Sequence, residues 1–336
     1  MTNAAAADLA AAVVVRLRPA ASRIALFDPD EPPPGLAPAT LVAVQPWRPA
    51  CDRLEAEGIR VVPTPDGSLR DMDCAIVMLG RQRVRSLATI GQALTACRAD
   101  GLVVVAGSNE LGPASYARRL RTLGTSSGGH ARAFWARARD AVDAPTRDSW
   151  IDAARIRPAG ADGHHAAPGI FAWDRVDEGS ALLAARLPVD LGVVVADLGA
   201  GWGYLAGHVL AHGRPRPRRL DLYEADWHAL AAARLNLAHA PPDTAIDFLW
   251  HDAARGVPRR DYDTVVMNPP FHDTRGADPS IGLAFIAAAR DALRRGGRLW
   301  IVANRTLPYE AALRDGFTHA VTHEAGPRYK IIEAVR

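Results

Sequence analysis

Val193-Val194-Val195-Ala196-Asp197-Leu198-Gly199-Ala200-Gly201-Trp202-Gly203 is the stretch on which the fold turns. The apolar run Val193 to Ala196 has the composition of a strand buried on both faces. A glycine-rich turn follows at once, and an apolar helical pattern runs from Tyr204 to Ala211. Strand, glycine turn and helix start, in that order, are the context in which a GxG pattern is a credible site for a nucleotide-type ligand. The glycines let backbone approach such a ligand closely. The spacing differs from the GxGxxG of dinucleotide enzymes, which argues against a dehydrogenase.

Three more strand ends carry ligand-type features. Leu220-Asp221-Leu222-Tyr223-Glu224 reads as a second strand, ending in an acid suited to a ribose diol. A third, near Ala245 to Trp250, leads into His251-Asp252-Ala253, where a carboxylate can accept from an adenine amino group. A fourth, Thr264-Val265-Val266-Met267, delivers Asn268-Pro269-Pro270-Phe271. The order fits S-adenosylmethionine followed by an amino-group substrate.

An exocyclic amine on a nucleobase is a poor nucleophile, because its lone pair is delocalised into the ring. The Asn268 side-chain carbonyl and the Pro269 backbone carbonyl can both accept from such an NH2 and draw density back onto nitrogen. The two prolines fix φ and remove two donors, which stiffens the loop. Phe271 offers a face for a planar ring. The plain alternative is a Pro-rich turn in a chain with 25 prolines.

At 336 residues and 49% hydrophobic, the chain can bury one large core or two. The N-terminal Ala/Val run is broken by Asp8 and Arg16 and lacks a basic start, so neither a signal peptide nor a membrane helix is expected, and the cytoplasm is the expected compartment. Cys51, Cys74 and Cys97 form no CxxC and suit core packing in a reducing compartment, with no zinc and no other metal expected. Of the 40 basic residues one is a lysine, Lys330. Between Leu111 and Arg139 stand Arg118, Arg119, Arg121, His130, Arg132, Arg137 and Arg139 without an acid, either a phosphate-gripping surface or a solvated helix face and loop. Arg214, Arg216, Arg218 and Arg219, interleaved with prolines, read as an exposed loop. Phe134 and Trp135 lie among the first arginines, available to stack on bases or to pack into the domain.

The chain also repeats itself. Asp73-Cys74-Ala75-Ile76-Val77-Met78-Leu79 parallels Asp263 to Pro269, and the glycine-initiated Gly101 to Ala106 parallels Gly297 to Ala303. The expectation is two tandem Rossmann-like α/β domains with doubly wound sheets, the first degenerate. Where the second half has Asn-Pro-Pro-Phe, the first offers Leu79-Gly80-Arg81-Gln82, and Ile24 to Asp30 contains no GxG. The expected boundaries are 1–156 for the degenerate domain, used for positioning or RNA contact, 157–167 for a linker, and 168–336 for the catalytic domain. The breaker-rich Arg157 to His165 is the linker, with His164 and His165 in a solvated loop.

With these residues in view, the C-terminal half resembles the ribosomal RNA small subunit methyltransferase C family, guanine-N2 methyltransferases of 16S rRNA with a sister group acting on 23S rRNA. The resemblance rests on Pro168-Gly169-Ile170-Phe171, Asp177-Glu178-Gly179-Ser180, Asp197 to Gly201, Asn268-Pro269-Pro270-Phe271-His272-Asp273, and Ile301-Val302-Ala303-Asn304 with Leu307-Pro308-Tyr309. It implies a class I S-adenosylmethionine-dependent enzyme working on ribosomal RNA or the small subunit; the chain is expected to be a monomer. It places Asp197, Gly199 and Gly201 on the methionine and ribose part of the cofactor, Glu224 on the ribose, and Asp252 with Ala253 on the adenine. Asn268 to Phe271 would hold the guanine, with Asn268, Pro269 and Phe271 catalytic, Pro270 and Phe271 substrate-binding, and Asn268 also touching cofactor. Arg328-Tyr329-Lys330 falls where the family has a basic-aromatic-basic run, which implies a substrate contact for Lys330. Trp202 departs from the small residue usual after the glycine turn. An NPP[FY] loop also serves methylation of adenine N6 or of a protein glutamine amide, and an RNA-binding scaffold with a vestigial site is the non-enzymatic alternative.

Overall fold

The computed structural model describes residues 4–18, 20–270, 272–273, 276–277 and 279–336, with side chains described outside 271–278. Two compact units divide the chain, Met1–Arg155 and Ile156–Arg336. Each is a seven-stranded sheet with helices on both faces.

In the first unit the strands are β1 (Ile24–Phe27), β2 (Leu41–Val44), β3 (Arg60–Val62), β4 (Met72–Met78), β5 (Cys97–Ser108), β6 (Gly124–Gly128) and β7 (Ala131–Arg137), ordered β3-β2-β1-β4-β5-β7-β6. The second unit opens with a two-stranded ribbon, β8 (Arg157–Ala159) and β9 (His164–Ala166). Its main strands are β10 (Val194–Leu198), β11 (Arg219–Glu224), β12 (Ala245–Trp250) and β13 (Tyr262–Met267). The small pair β14 (His272–Asp273) and β15 (Gly276–Ala277) precedes β16 (Leu293–Asn304), β17 (His319–Ala325) and β18 (Tyr329–Val335). The second sheet is ordered β12-β11-β10-β13-β16-β18-β17, the same permutation as the first. Apolar clusters line both faces of each sheet, which is why the central strands are Val-, Ile- and Leu-rich without alternation.

The repeat extends to local devices. Asp73 accepts from the backbone N–H of Ser22 (2.9 Å) and Arg23 (3.1 Å) and pairs with Arg98. Asp263 accepts from Val193 (2.7 Å) and Val194 (2.9 Å) and pairs with Arg294. In both units this aspartate ties the start of the first strand to the fourth. A Cβ on Gly101 would stand 2.9 Å from Arg98 O and 3.0 Å from Met72 O; on Gly297 it would stand 2.9 Å from both Arg294 O and Tyr262 O. Glycine stands four residues into each strand, at the register shift between Met72 and Cys74 and between Tyr262 and Thr264, because the backbone there closes against the neighbouring strand's carbonyl.

Strand register sharpens the comparison of the halves. Cys74 pairs across to Leu102 as Thr264 does to Arg298, so Met78, one residue before Leu79, occupies the position of Asn268. Ile24 pairs with Cys74 as Val195 does with Thr264, which sets Leu26 against Asp197. Two buried apolar side chains thus replace the two polar ones.

Two expectations need correction. The segment 157–167 is an antiparallel ribbon, because Gly160 (φ 64°) and Gly163 (φ 66°) turn the chain back so that its flanks pair. His164 is buried instead of solvated. Of the two fates open to Phe134 and Trp135, packing into the domain is the one taken: both are buried in β7. Arg118, Arg119, Arg121, Arg137 and Arg139 are exposed. Among the described residues no helix is long and apolar enough to cross a membrane, and no group of three His, Cys, Asp or Glu side chains could hold a metal.

Candidate active site

The order of the second sheet reverses between β10 and β13, and ligands of open α/β sheets bind at such a switch point, beyond the carboxyl ends of the strands. The glycine turn leaves β10 there. Gly199, Gly201 and Gly203 have φ of 74°, 55° and 90°, values that L side chains rarely adopt. The N–H groups of Gly199 and Ala200 both donate to Tyr223 O, at 2.8 and 3.1 Å, folding the turn back over β11. A Cβ on Gly201 would meet nothing within 4 Å, so open space faces the backbone at that point.

Two buried acids stand beneath the turn. Asp197 Oδ2 accepts from the Ala206 N–H at 3.1 Å, while its buried Oδ1 has no partner. Burial pushes this carboxyl up to about 7, with the Ala206 N–H opposing the rise and the Glu224 charge adding to it. Glu224, at the end of β11, accepts from the Gly201 N–H through Oε2 and from the Asp226 N–H through Oε1, each at 2.7 Å. Burial lifts it too, to about 7. Glu224 therefore holds the glycine turn in shape. Asp252, at the end of β12, caps the short turn Ala253–Arg255 through the Ala254 N–H at 3.1 Å, and Ala253 is buried beside it.

Asn268 leaves the end of β13 with its amide direction fixed. Its Nδ2 donates to Asp177 Oδ2 at 2.9 Å and to Ser180 Oγ at 2.8 Å. Asp177 also caps the helix Glu178–Arg186, accepting from the Ser180 N–H at 2.8 Å. With both amide hydrogens committed, Oδ1 remains to accept from a ligand. Pro269 is buried and Pro270 exposed, while Phe271 lies outside the described residues, as does the side chain of Asp273. One depression is lined by Asp177, Ser180, Gly199, Gly201, Trp202 and Asn268; Glu224 and Asp252 sit on the next two strand ends.

Lys330 does not join this group. It is buried on β18, where Nζ donates to Leu307 O at 2.6 Å and pairs with Glu310. Its charge is engaged within the fold, which corrects the substrate-binding role. Asn304 likewise has a local job, accepting from the Thr306 N–H at 3.1 Å. The partners that orient Asn268 were in the quoted Asp177-Glu178-Gly179-Ser180 segment, but nothing in linear spacing ties it to a residue 91 positions away.

Comparison with known proteins places the second unit in a family. Residues 164–333 match the methyltransferase small domain model, half of the chain. The chain belongs to that family. Relatives named ribosomal RNA small subunit methyltransferase C bear out the resemblance: the protein of Psychromonas ingrahamii is 24% identical over 84% of this chain and 81% of its own length. The ribosomal RNA large subunit methyltransferase G of Streptomyces griseus is 35% identical, over 50% of this chain and 44% of that protein. The chain thus matches less than half the length of that relative. The 16S rRNA N2 methyltransferase of T. thermophilus, solved with AdoMet and guanosine, superposes with a TM-score of 0.78 at 21% identity and covers all of both chains. Its likeness establishes the tandem fold.

Proposed function

We propose that this chain transfers a methyl group from S-adenosylmethionine to the exocyclic N2 of a guanine in 16S ribosomal RNA, in the cytoplasm. The observation that carries the reading is the committed Asn268 amide, whose Oδ1 is left as an acceptor at the switch point beside the glycine turn. The residues present fit the cofactor. The partnerless Asp197 Oδ1 suits an ammonium group, the open space at Gly201 suits a ligand lying against backbone, and Glu224 with Asp252 suits ribose and adenine.

When bound, S-adenosylmethionine supplies an electrophilic methyl on a sulfonium. The protein's contribution is orientation. Asn268 Oδ1 and the Pro269 carbonyl accept from the target NH2 and favour its pyramidal form as the new C–N bond develops. A neutral amide stabilises the growing positive charge on nitrogen without burying another carboxylate near Asp197 and Glu224. The nitrogen then loses a proton to solvent. An N2 amino group held by these acceptors cannot also be base-paired, so the target base must be unpaired or flipped out.

A second reading keeps the chemistry and changes the RNA. It is favoured by the higher identity to the methyltransferase G protein, but that match stops at half the chain, whereas the methyltransferase C match runs through both units. The exposed arginines of the first unit are proposed to grip RNA phosphates. The test is methyl transfer to isolated small and large ribosomal subunits and to naked rRNA, with the modified nucleoside identified by mass, for wild type and Asn268→Ala. Transfer to guanine N2 by wild type and its loss in Asn268→Ala, with cofactor affinity retained, is the expected result. A fully active Asn268→Ala would sink the mechanism.

A further inference from the structure

Phe171 is 60% exposed, although it belongs to a segment that is otherwise anchored. Its neighbour Ile170 is buried against Trp202, Ala229 and Ala232, so the chain turns one side chain in and the next one out. Gly169 (φ 105°) and Ala172 (φ 49°) bracket the turn; a left-handed alanine is uncommon and concentrates at sites where the surroundings impose it.

What imposes it is a stack of two rings. Trp202, in the glycine turn, lies parallel to His164 of β9, with centroids 4.0 Å apart and planes at 8°. Each ring holds one of two successive carbonyls just after Phe171. Trp202 Nε1 donates to Ala172 O at 3.2 Å, and His164 Nε2 to Trp173 O at 3.0 Å. Asn236 locks the base of the stack, donating to Trp202 O at 2.8 Å and His165 O at 3.0 Å. Trp202 in place of a small residue therefore has a use: it ties the segment bearing Phe171 to the glycine turn. The depression that contains Asn268, Asp177 and Ser180 is lined by Phe171 and Ala172 as well.

We propose that Phe171 is a stacking platform for the flipped-out target base, a substrate-binding residue on the acceptor side of the site. This rests on the methyl-transfer reading above. The placement favours the base over the cofactor's adenine, because Phe171 shares its depression with Asn268 at the end of β13, whereas Asp252 and Ala253 lie three strands from β13, at the end of β12. An aromatic face suits any planar base and leaves identity to Asn268 and Pro269.

The test uses the full chain and whichever ribosomal substrate the wild type methylates. Phe171→Ala and Phe171→Leu are expected to lower kcat/KM for RNA by about 5- to 150-fold, the range that base–aromatic stacking gives on alanine substitution. The dissociation constant for S-adenosylmethionine, titrated separately, is expected to stay within about twofold, and Phe171→Trp to restore activity. Wild-type kcat/KM in Phe171→Leu overturns the proposal, because the ring is then dispensable. A cofactor affinity that falls in step with kcat/KM overturns it too, since the ring then faces the cofactor. If wild type methylates an amine other than guanine N2, the functional reading fails while the Phe171 comparison still runs on that substrate.

Discussion

Asn268 Nδ2 donates to Asp177 Oδ2 at 2.9 Å, and that one contact joins the loop after β13 to the first helix of the second unit. Asp177 accepts from the Ser180 N–H at the same oxygen. A carboxylate oxygen can only accept, so the amide must turn its NH2 toward Asp177 and its oxygen away. Gly179 permits the arrangement: a Cβ there would lie 3.1 Å from Asp177 Oδ2 and 3.1 Å from the Tyr329 ring.

Removing the acceptor should free the amide. Asp177→Ala is expected to lower kcat by about 10- to 100-fold, the scale of a misplaced positioning group. Loss of the helix cap should cost about 1 kcal/mol of stability, read as a lower Tm. Cofactor affinity should hold. An unchanged kcat beside a lowered Tm would leave Asp177 with the cap alone.

The buried acids give the site a pH dependence. Burial raises Asp197 from 3.8 to about 7 and Glu224 from 4.5 to about 7. A folded-state value above the unfolded one means that their stabilising contribution is complete below the unfolded values and is lost as pH rises through about 7. The ligand-free protein should therefore lose stability from these two groups between about pH 4 and pH 7, and Asp197→Asn should flatten the loss. Binding has the opposite sign. An ammonium group favours ionised Asp197, so cofactor affinity should rise from about pH 6 to pH 8 with release of protons, measurable by calorimetry in buffers of different ionisation enthalpy. In Asp197→Asn that dependence should vanish and affinity fall by about 10- to 150-fold, the value of a hydrogen bond to a charged group. Pronounced pH dependence surviving in Asp197→Asn would assign the titration to Glu224.

Much of this was legible in one dimension, because parallel strands announce themselves. Val193 to Ala196 and Thr264 to Met267 are apolar without alternation, and the residues just after them are ligand-facing by topology alone. The internal repeat was legible for the same reason, down to Asp73 and Asp263. Harder to read were contacts made by side chains far apart in sequence. His164 looked solvated because Gly160 and Gly163 resemble linker residues, yet the same glycines close the ribbon that buries it against Trp202. Lys330 looked like a substrate ligand because Arg328-Tyr329-Lys330 matches the family's basic-aromatic-basic run, and only the placement of Glu310 and Leu307 shows its charge already engaged.

Lys330 offers a clean contrast between structural and substrate roles. Its side chain is 6% exposed and that of Glu310 45% exposed, so the pair is screened from one side. Lys330→Met should destabilise the second unit by about 1–3 kcal/mol, since Glu310 loses its cation and Leu307 O keeps only the Tyr309 N–H, at 3.0 Å. KM for RNA should stay within about twofold, because the ammonium does not reach solvent to meet phosphate. A normal Tm with a large rise in KM would restore the substrate role.

The exposed arginines of the first unit can be tested by salt dependence, which separates phosphate contacts from general damage. Arg118, Arg119 and Arg121 are exposed on a segment without acids, and replacing them together by alanine removes three positive charges from the first unit. If each neutralises one phosphate, the slope of log affinity for rRNA against log salt should fall in magnitude by about 2 to 3. Affinity should drop most at low salt and converge with wild type as salt rises. The kcat at saturating RNA and the cofactor affinity should be unchanged, because the glycine turn and Asn268 belong to the second unit. An unaltered slope would mean that these arginines only solvate their surface, and that the contacts gripping RNA lie elsewhere.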